Sequence, residues 1–420
     1  MRARIAVNLL WMLTERGLGI LVGIGVVAML ARALGPEAFA HFQYAQAIVL
    51  IASSAALICG AEIVVPRLVA MPSPADQHRL ITHAALLRLA GALAGYLLIG
   101  VFLLIKQPNP DSWTTALLLG IPILCREPAG IVTAWMQSAT HNRPTSIINL
   151  TALSLRLGVV VTLFVAGIAI VPAFAAAFTA EAIVAAALLL RYYRKRMPLP
   201  WPQIEWPLLR ELFASGALLW VSFAFMMIIR RFDQLILESA VPTADFGAYA
   251  ACMQIADNFA LVASVMAAGI APAMVYSKPR LADARRNVAR LALGMGVLGL
   301  CGAATLALSA SWIVHLLYGQ AFAATIDLLR LTAFATSLLF IDIALSVLLA
   351  HMRRPPWFAV KWGVVLAVTI VADLVLIPRF GMLGAVAGYA ISNMTALLCS
   401  ATVWYLAGRH PAGRAERAVT

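Results

Sequence analysis

Long apolar segments alternate with short polar connectors along the whole chain. The windows 157–180 and 291–326 contain no Asp, Glu, Lys or Arg, and each exceeds the ~20 apolar helical residues that cross a bilayer core of ~30 Å. Gly-Pro and Pro-rich stretches punctuate the pattern. It predicts twelve helices, at about 8–32, 39–62, 80–105, 113–138, 144–167, 171–193, 208–238, 244–276, 287–312, 321–350, 357–378 and 381–407.

The composition supports a membrane protein. Hydrophobic residues make up 63% of the chain and charged residues 12%, with a mean hydropathy of +0.91, whereas soluble domains carry roughly 25% charged residues. A water-soluble fold could not bury so much apolar surface, so we predict an all-α polytopic membrane protein. The cysteines lie inside apolar segments without CxxC spacing, which favours packing over a metal site; they are Cys59, Cys125, Cys252, Cys301 and Cys399.

The basic residues predict the orientation in the membrane. The formal charge is +13, but Lys and Arg concentrate in every second connector, and Lys361 at the start of the eleventh helix is predicted to lie on the same side. Only Arg32, Lys106 and Arg379 fall on the opposite side. By the positive-inside rule, both termini are predicted to be cytoplasmic, in a bacterial inner (plasma) membrane. This distribution explains the positive charge without a nucleic-acid partner.

Two pairs of motifs predict an internal repeat. The turns at 35–42 and 242–249 both contain Pro, an acid and then Phe-x-x-aromatic, with the Phe residues 207 positions apart. An Arg-Pro pair opens the fifth predicted helix and another, Arg354-Pro355, opens the eleventh, 211 positions further on. Each copy would contain six helices. Because six is an even number, both copies would have the same orientation in the membrane and would be related by a pseudo-twofold axis along the membrane normal. We therefore predict lobes at 1–196 and 197–420.

Four stretches carry a resemblance to a known family. They are residues 31–39 (ARALGPEAF), 231–234 (RFDQ) with 246–249 (FGAY), 316–319 (LLYG) and 376–385 (LIPRFGMLGA). In order and spacing they resemble the polysaccharide-flippase (O-antigen flippase) branch of the multidrug/oligosaccharidyl-lipid/polysaccharide exporter superfamily.

The resemblance implies a fold and a substrate. The fold would be a two-lobed, V-shaped bundle whose central cavity opens alternately to each side. The substrate would be a polyprenyl-diphosphate-linked sugar or oligosaccharide, flipped from the cytoplasmic to the outer leaflet for cell-surface polysaccharide export. The implied partners are this lipid-linked glycan, the bilayer itself and other polysaccharide assembly proteins.

Charges inside the predicted helices are the candidate functional groups, because an ionised side chain at mid-bilayer costs ~2.5–3.5 kcal/mol. Arginine offers a planar set of donors suited to phosphate. We therefore expect head-group binding by Arg16, Arg88, Arg126, Arg156 and Arg230. Three alternatives remain open: Arg16 and Arg88 could snorkel to the lipid head groups, Arg126 and Arg156 could pair with Glu127 or Glu181, and Arg330 could pair with Asp327.

The second half is acidic and suggests a coupling ion, H⁺ or Na⁺. The candidate residues are Asp233, Asp257, Thr369, Asp373 and Asn393. Asp233 and Asp373 fall in the outer thirds of their helices and could be neighbours, while Thr369 shares a helix face with Asp373. In related lipid-intermediate flippases a corresponding cluster holds sodium, but Tyr389 replaces a small hydroxyl residue here. A protonatable carboxylate and a structural pair with Arg230 are the alternatives. No other cofactor and no metal centre is predicted.

Two other functions compete with a flippase. A MATE-like multidrug or cation antiporter would favour an acidic, aromatic-lined cavity, which the arginines of the first half argue against. A membrane glycan polymerase or transferase would need a large outer loop, and the longest predicted outer connector has about seven residues. The chain is therefore predicted not to be an enzyme.

Overall fold

The computed structural model describes residues 2–139, 142–278, 280–352 and 355–408. Helices are the only regular elements in these ranges. They are α1 (Arg2–Ser53), α2 (Ala61–Ala70), α3 (Pro74–Lys106), α4 (Pro110–Ala129), α5 (Ile131–Ser138), α6 (Asn142–Val165), α7 (Val171–Arg196), α8 (Trp206–Ile229), α9 (Phe232–Ala240), α10 (Thr243–Ala271), α11 (Leu281–Leu317), α12 (Thr325–His351), α13 (Pro355–Phe380) and α14 (Met382–Leu406).

The first element is two helices joined at one residue. Gly35 has a φ of 70° and a ψ of 174°, a backbone that glycine adopts at little cost, and Pro36 follows it. In the described residues, eleven apolar segments are long enough to cross a membrane, and the first, Thr14–Ala70, contains this break. It therefore accounts for two of the twelve predicted crossings. The predicted all-α polytopic fold is confirmed.

Three predicted helices are interrupted inside the bundle. The second was expected to run to residue 62, but α1 ends at Ser53 and a 3₁₀ turn, Ser54–Leu57, leads to a break before α2. The fourth is divided at Gly130, and the seventh is divided at residues 230–231. Hydropathy misses such breaks because both sides of each break are apolar.

The chain divides into two compact units, Met1–Arg231 and Phe232–Thr420. Helix α8 packs within the first unit, where Cys59 Sγ donates to the Leu212 carbonyl at 3.3 Å. Trp220 Nε1 also donates to the Ser54 carbonyl at 2.8 Å. The predicted lobes, 1–196 and 197–420, are defined by the proposed sequence repeat and not by packing. Their limits therefore stay a prediction.

Each unit has its own core. In the first, α7 packs against α4 and α6, and α1 packs against α6; in the second, α12 packs against α10, α11 and α14. The aromatic residues of both repeat motifs are buried: Phe39, Phe42, Phe246 and Tyr249. Arg354, from the second pair of repeat motifs, lies outside the described residues.

The connector between α7 and α8 is held against the start of α3. Arg79 pairs with Glu205, and the Glu205 backbone N–H donates to His83 Nε2 at 2.9 Å. His78 Nε2 lies 3.1 Å from the Pro200 carbonyl. The hydrogen bond from the Arg79 guanidinium holds the pKa of the Glu205 carboxyl below its ordinary value. This connector is therefore anchored to the first unit.

Candidate functional site

The first charged cluster lies in the first unit, around Glu181 of α7. Arg156 of α6 donates from Nη1 to Glu181 Oε2 at 2.7 Å, and the two side chains are only 15% and 9% exposed. The guanidinium also lies over the ring of Phe178, 4.7 Å from its centroid. Of the two alternatives for Arg156, the structure confirms a pair with Glu181.

A second arginine approaches the same carboxylate. Arg126 Nη1 of α4 lies 3.6 Å from Glu181 Oε1, longer than a hydrogen bond, and the Arg126 side chain is 43% exposed. Arg156 already binds Glu181 closely, and Glu127 lies near both Arg88 and Arg126, so two carboxylates face three guanidinium groups. The site has a positive surplus, and Arg126 carries its accessible part.

Arg88 of α3 supports two helix breaks. Its Nε donates to the Ile58 carbonyl at 3.3 Å, and Nη1 donates to the Glu127 carbonyl at 3.2 Å. Nη1 also lies 3.8 Å from the Glu127 carboxylate. In apolar surroundings, carbonyls near a helix break need another donor. Arg88 therefore lies inside the first unit and does not snorkel to the surface.

Arg16 lies apart from these pairs. Its exposed side chain lines a polar cavity of about 110 Å³ between α1, α5 and α6. Beside it, Asn149 Nδ2 of α6 donates to Glu15 Oε1 at 2.6 Å. This cavity brings residues from three helices together, which the sequence pattern did not predict.

The remaining arginines differ in environment. Arg230 caps the C-terminal end of α8 and is exposed, whereas Arg231 is buried. Arg330 donates to Asp327 at 2.8 Å one helical turn away. The expected internal pair of Arg330 is therefore confirmed, and head-group binding by Arg230 stays a prediction.

The second cluster lies in the second unit and contains two buried aspartates. The Tyr249 hydroxyl of α10 donates to the Asp233 carboxylate of α9. Asp373 of α13 is 1% exposed, and neither of its oxygens accepts a hydrogen bond from the described residues. Helix α9 packs against α13, and the carboxylates of Asp233 and Asp373 are close enough to interact electrostatically. The expectation that they are neighbours is confirmed.

Two of the other predicted ion-site residues, Thr369 and Asn393, form hydrogen bonds between helices. Thr369 Oγ1 donates to Ser392 Oγ at 2.8 Å, and Asn393 Nδ2 donates to the Ala335 carbonyl at 3.1 Å. The Tyr389 hydroxyl lies 3.2 Å from Thr336 Oγ1. Asp257 is partly exposed on α10. Thr369 and Asn393 thus bring polar groups to the α12–α14 side of α13, and their ion-binding role stays a prediction.

Lys361 corrects the predicted distribution of basic residues. The sequence pattern groups it with the basic residues of the cytoplasmic side, outside the helices, but it lies within α13 and its side chain is 1% exposed. Its Nζ donates to Asp342 Oδ1 and Oδ2 at 2.7 and 2.9 Å and to Ser346 Oγ at 2.8 Å. Ser400 Oγ also donates to Asp342 at 2.6 Å. The ammonium and carboxylate neutralise each other, so this network joins α12, α13 and α14 as a structural element.

The sequence was compared with models of known protein families. The sequence profile of a family described as "Polysaccharide biosynthesis protein" matches residues 29–327. The chain belongs to this family. A search of curated proteins gave no significant match.

Solved membrane transporters share the fold. An inward-facing multidrug resistance MATE family transporter of the MOP superfamily superposes with a TM-score of 0.69 at 14% identity, over 93% of this chain and 96% of the other. The lipid II flippase MurJ, in an inward closed conformation, gives 0.69 at 12% identity, over 94% and 87%. An outward-facing MATE transporter gives 0.57 at 13%, over 97% and 96%. This polysaccharide biosynthesis protein therefore has the twelve-helix fold of the MOP superfamily, and it is a multi-pass membrane protein.

Sequence reasoning missed several residues of these sites. Tyr249 served only as part of a repeat motif, yet it contacts Asp233. Gly388 was not considered, although it lies against Asp373. The polar positions on α6 offered a signal, because Asn142, Asn149 and Arg156 recur every seven residues and therefore share a helix face.

Proposed function

We propose that this protein flips a polyprenyl-diphosphate-linked sugar or oligosaccharide from the cytoplasmic to the outer leaflet by alternating access. The product would supply cell-surface polysaccharide export, together with other polysaccharide assembly proteins. Membership of the polysaccharide biosynthesis family supports a glycan substrate. The fold shared with a lipid II flippase supports translocation of a lipid-linked head group.

The observation that carries the proposal is that Arg156 and Arg126 contact the Glu181 carboxylate at different distances. Arg156 satisfies this carboxylate at 2.7 Å, while Arg126 stands 3.6 Å away with nearly half of its side chain exposed. A positive surplus inside apolar helices is costly unless an anion or water offsets it. A diphosphate supplies such an anion and can accept paired hydrogen bonds from a guanidinium.

The other arginines then take different roles. Arg156 and Arg88 are positioning residues, because each is engaged by acids or carbonyls of the first unit. Arg126 is the head-group contact in this proposal. Arg230 remains a further predicted contact, and Arg16 belongs to a separate polar cavity.

A coupling ion at the two buried aspartates would provide a driving force. Asp373 has two buried oxygens without a hydrogen-bond donor among the described residues, and a proton or a sodium ion would satisfy one or both. We propose that Asp233 and Asp373 exchange H⁺ or Na⁺ during transport. In proteoliposomes, Asp373→Asn should abolish any acceleration by an imposed proton or sodium gradient, whereas Asp327→Asn, at an exposed position in the same unit, should retain it. Acceleration that persists in Asp373→Asn would contradict this role.

The flippase proposal is tested with a fluorescent lipid-linked sugar in proteoliposomes. Arg126→Gln should reduce its translocation about tenfold, as expected for one lost charge-assisted contact. Arg194→Gln is the matched control, since Arg194 stacks on Trp201 at the connector, 4.2 Å from the ring centroid. Equal translocation by Arg126→Gln and wild type, at equal insertion, would refute the proposed head-group contact.

A multidrug or cation antiporter is the second candidate function. The buried Asp233–Asp373 cluster favours it, because a carboxylate pair suits cation exchange. The same proteoliposomes distinguish the two functions. Efflux of a cationic dye without movement of the lipid-linked sugar would support the antiporter, and lipid movement without a new glycosidic bond would support the flippase.

A further inference from the structure

A polar cavity in the first unit stands apart from both charged clusters. It has a volume of about 110 Å³ and lies where the end of α5 and the start of α6 meet α1. The described residues that line it all have polar side chains: Glu15, Arg16, Thr133, Gln137, Asn142, Thr145 and Asn149. Such a cavity suits a polar occupant, because an apolar group could not reproduce the hydrogen bonds that these side chains make with water.

The charge of the cavity indicates an uncharged occupant. Among the lining residues that the structure describes, the one acid, Glu15, and the one base, Arg16, cancel formally. The rest of the lining consists of amides and hydroxyls, which both donate and accept hydrogen bonds. A diphosphate is negatively charged and would bind more favourably at Arg126, where positive charge is in excess, than in this neutral cavity. Amides and hydroxyls around a neutral space match a sugar, whose hydroxyl groups also donate and accept.

The size of the cavity is compatible with this exchange. Its volume of about 110 Å³ is well above the ~10–15 Å³ that admits one water, so it has room for several waters. Sugar hydroxyls can replace such waters while keeping hydrogen bonds to the same side chains, whereas an apolar group cannot. The Asn149 amide is already oriented by Glu15 at 2.6 Å, so part of the lining is fixed before any ligand enters.

Helix α6 links the cavity to the arginine cluster. Asn149 lines the cavity, and Arg156 lies seven residues later on the same helix. Seven residues span ~10.5 Å along the axis and return to nearly the same face. The neutral cavity and the positively charged site therefore follow one another along one side of α6. This order matches a sugar joined directly to a diphosphate.

We propose that this cavity binds the sugar attached to the diphosphate, while Arg126 contacts the diphosphate itself. The inference rests on the proposed flippase function and adds a sugar-recognition site to it. With both termini in the cytoplasm, as predicted, the cavity lies at the end of the bundle that a newly made lipid-linked sugar meets first.

Equilibrium binding to the purified protein in lipid nanodiscs tests the proposal. The probes are a short isoprenyl diphosphate without sugar and the same lipid carrying a hexose, an N-acetylhexosamine or a 6-deoxyhexose. Wild type should bind at least one sugar-bearing probe about tenfold more tightly than the sugarless lipid. Gln137→Met and the nearly isosteric Thr133→Val should remove most of this preference and leave sugarless binding unchanged.

Control variants separate the possible outcomes. Gln203→Met changes an exposed amide of the α7–α8 connector and should keep the preference, whereas Arg126→Gln should weaken all probes equally. A preference that survives in both cavity variants, or wild type that binds all probes equally, would overturn the sugar site. Failure of wild type to bind any of the lipids would instead overturn the flippase proposal.

Discussion

Gly388 of α14 lies directly against the carboxylate of Asp373, so that a β-carbon added at Gly388 would stand 2.1 Å from Asp373 Oδ1. The absence of a side chain at this position thus leaves the space that the buried carboxylate occupies. Gly388→Ala should force Asp373 to move, because tightly packed interiors cannot absorb such an overlap. We expect a several-fold loss of gradient-driven transport in proteoliposomes.

A second glycine provides the control for this prediction. Gly294 of α11 has no neighbour within 4 Å of an added β-carbon. Gly294→Ala should therefore keep full transport and stabilise the helix by roughly 0.5–1 kcal/mol. Equal transport by Gly388→Ala and Gly294→Ala would argue against a role for the position of Asp373.

The two arginines at Glu181 should differ in their effect on stability. Arg156→Gln removes the close partner of a buried carboxylate and the contact with Phe178, and should lower the free energy of unfolding by about 3 kcal/mol. Arg126→Gln removes a half-exposed group at 3.6 Å and should cost ~1 kcal/mol or less. Thermal unfolding in detergent measures both. A larger loss for Arg126→Gln would contradict this division between positioning and binding.

The Lys361–Asp342 pair should show strong coupling. Lys361→Met leaves a buried carboxylate without its cation, at a cost of about 3–5 kcal/mol. The double variant Asp342→Leu/Lys361→Met removes both charges, and Ser346 and Ser400 retain each other at 3.3 Å. It should therefore be less destabilised than the single variant, as the unfolding midpoints will show. A double variant as unstable as Lys361→Met would contradict this structural role.

The connector between α7 and α8 should loosen when Glu205 loses its charge. Because Arg79 lowers the pKa of Glu205, the contact is complete above the ordinary Glu pKa of about 4.3. It is lost only as the pH falls through the lower folded-state value. Glu205→Gln should therefore speed tryptic cleavage after Arg196 equally at pH values of about 7.5 and 8.5. Glu62→Gln, at an exposed acid of the same unit, should leave cleavage unchanged.

The membrane fold was predictable because the length of each apolar segment is a property of the sequence alone. The interruptions were not predictable in this way. Cys59 has a positive φ of 53° and donates to the Leu212 carbonyl, a contact that depends on packing 153 positions away along the chain. Hydropathy averages over about five helical turns and cannot register one such residue.

The charged sites were predicted in part. The sequence identified Arg126 and Arg156 and their possible acidic partners. Both side chains are long enough to reach several carboxylates, and it is the packing of the helices that places both near Glu181. Lys361 was misassigned because it lies near the start of α13, where a lysine is usually exposed. Its burial depends on Asp342 of the preceding helix, which the hydropathy pattern does not reveal.

This last contact has a consequence for biogenesis. Alone, α13 carries a charged lysine in an apolar segment, which is costly to insert into lipid, and α12 carries the complementary aspartate. The two helices are neighbours in sequence, since α12 ends at His351 and α13 begins at Pro355. We expect them to enter the membrane as a helical hairpin, already neutralised, and α14 to join afterwards through Ser400. Because α12 and α13 are made one after the other, Asp342 and Lys361 can pair before either side chain is exposed to lipid.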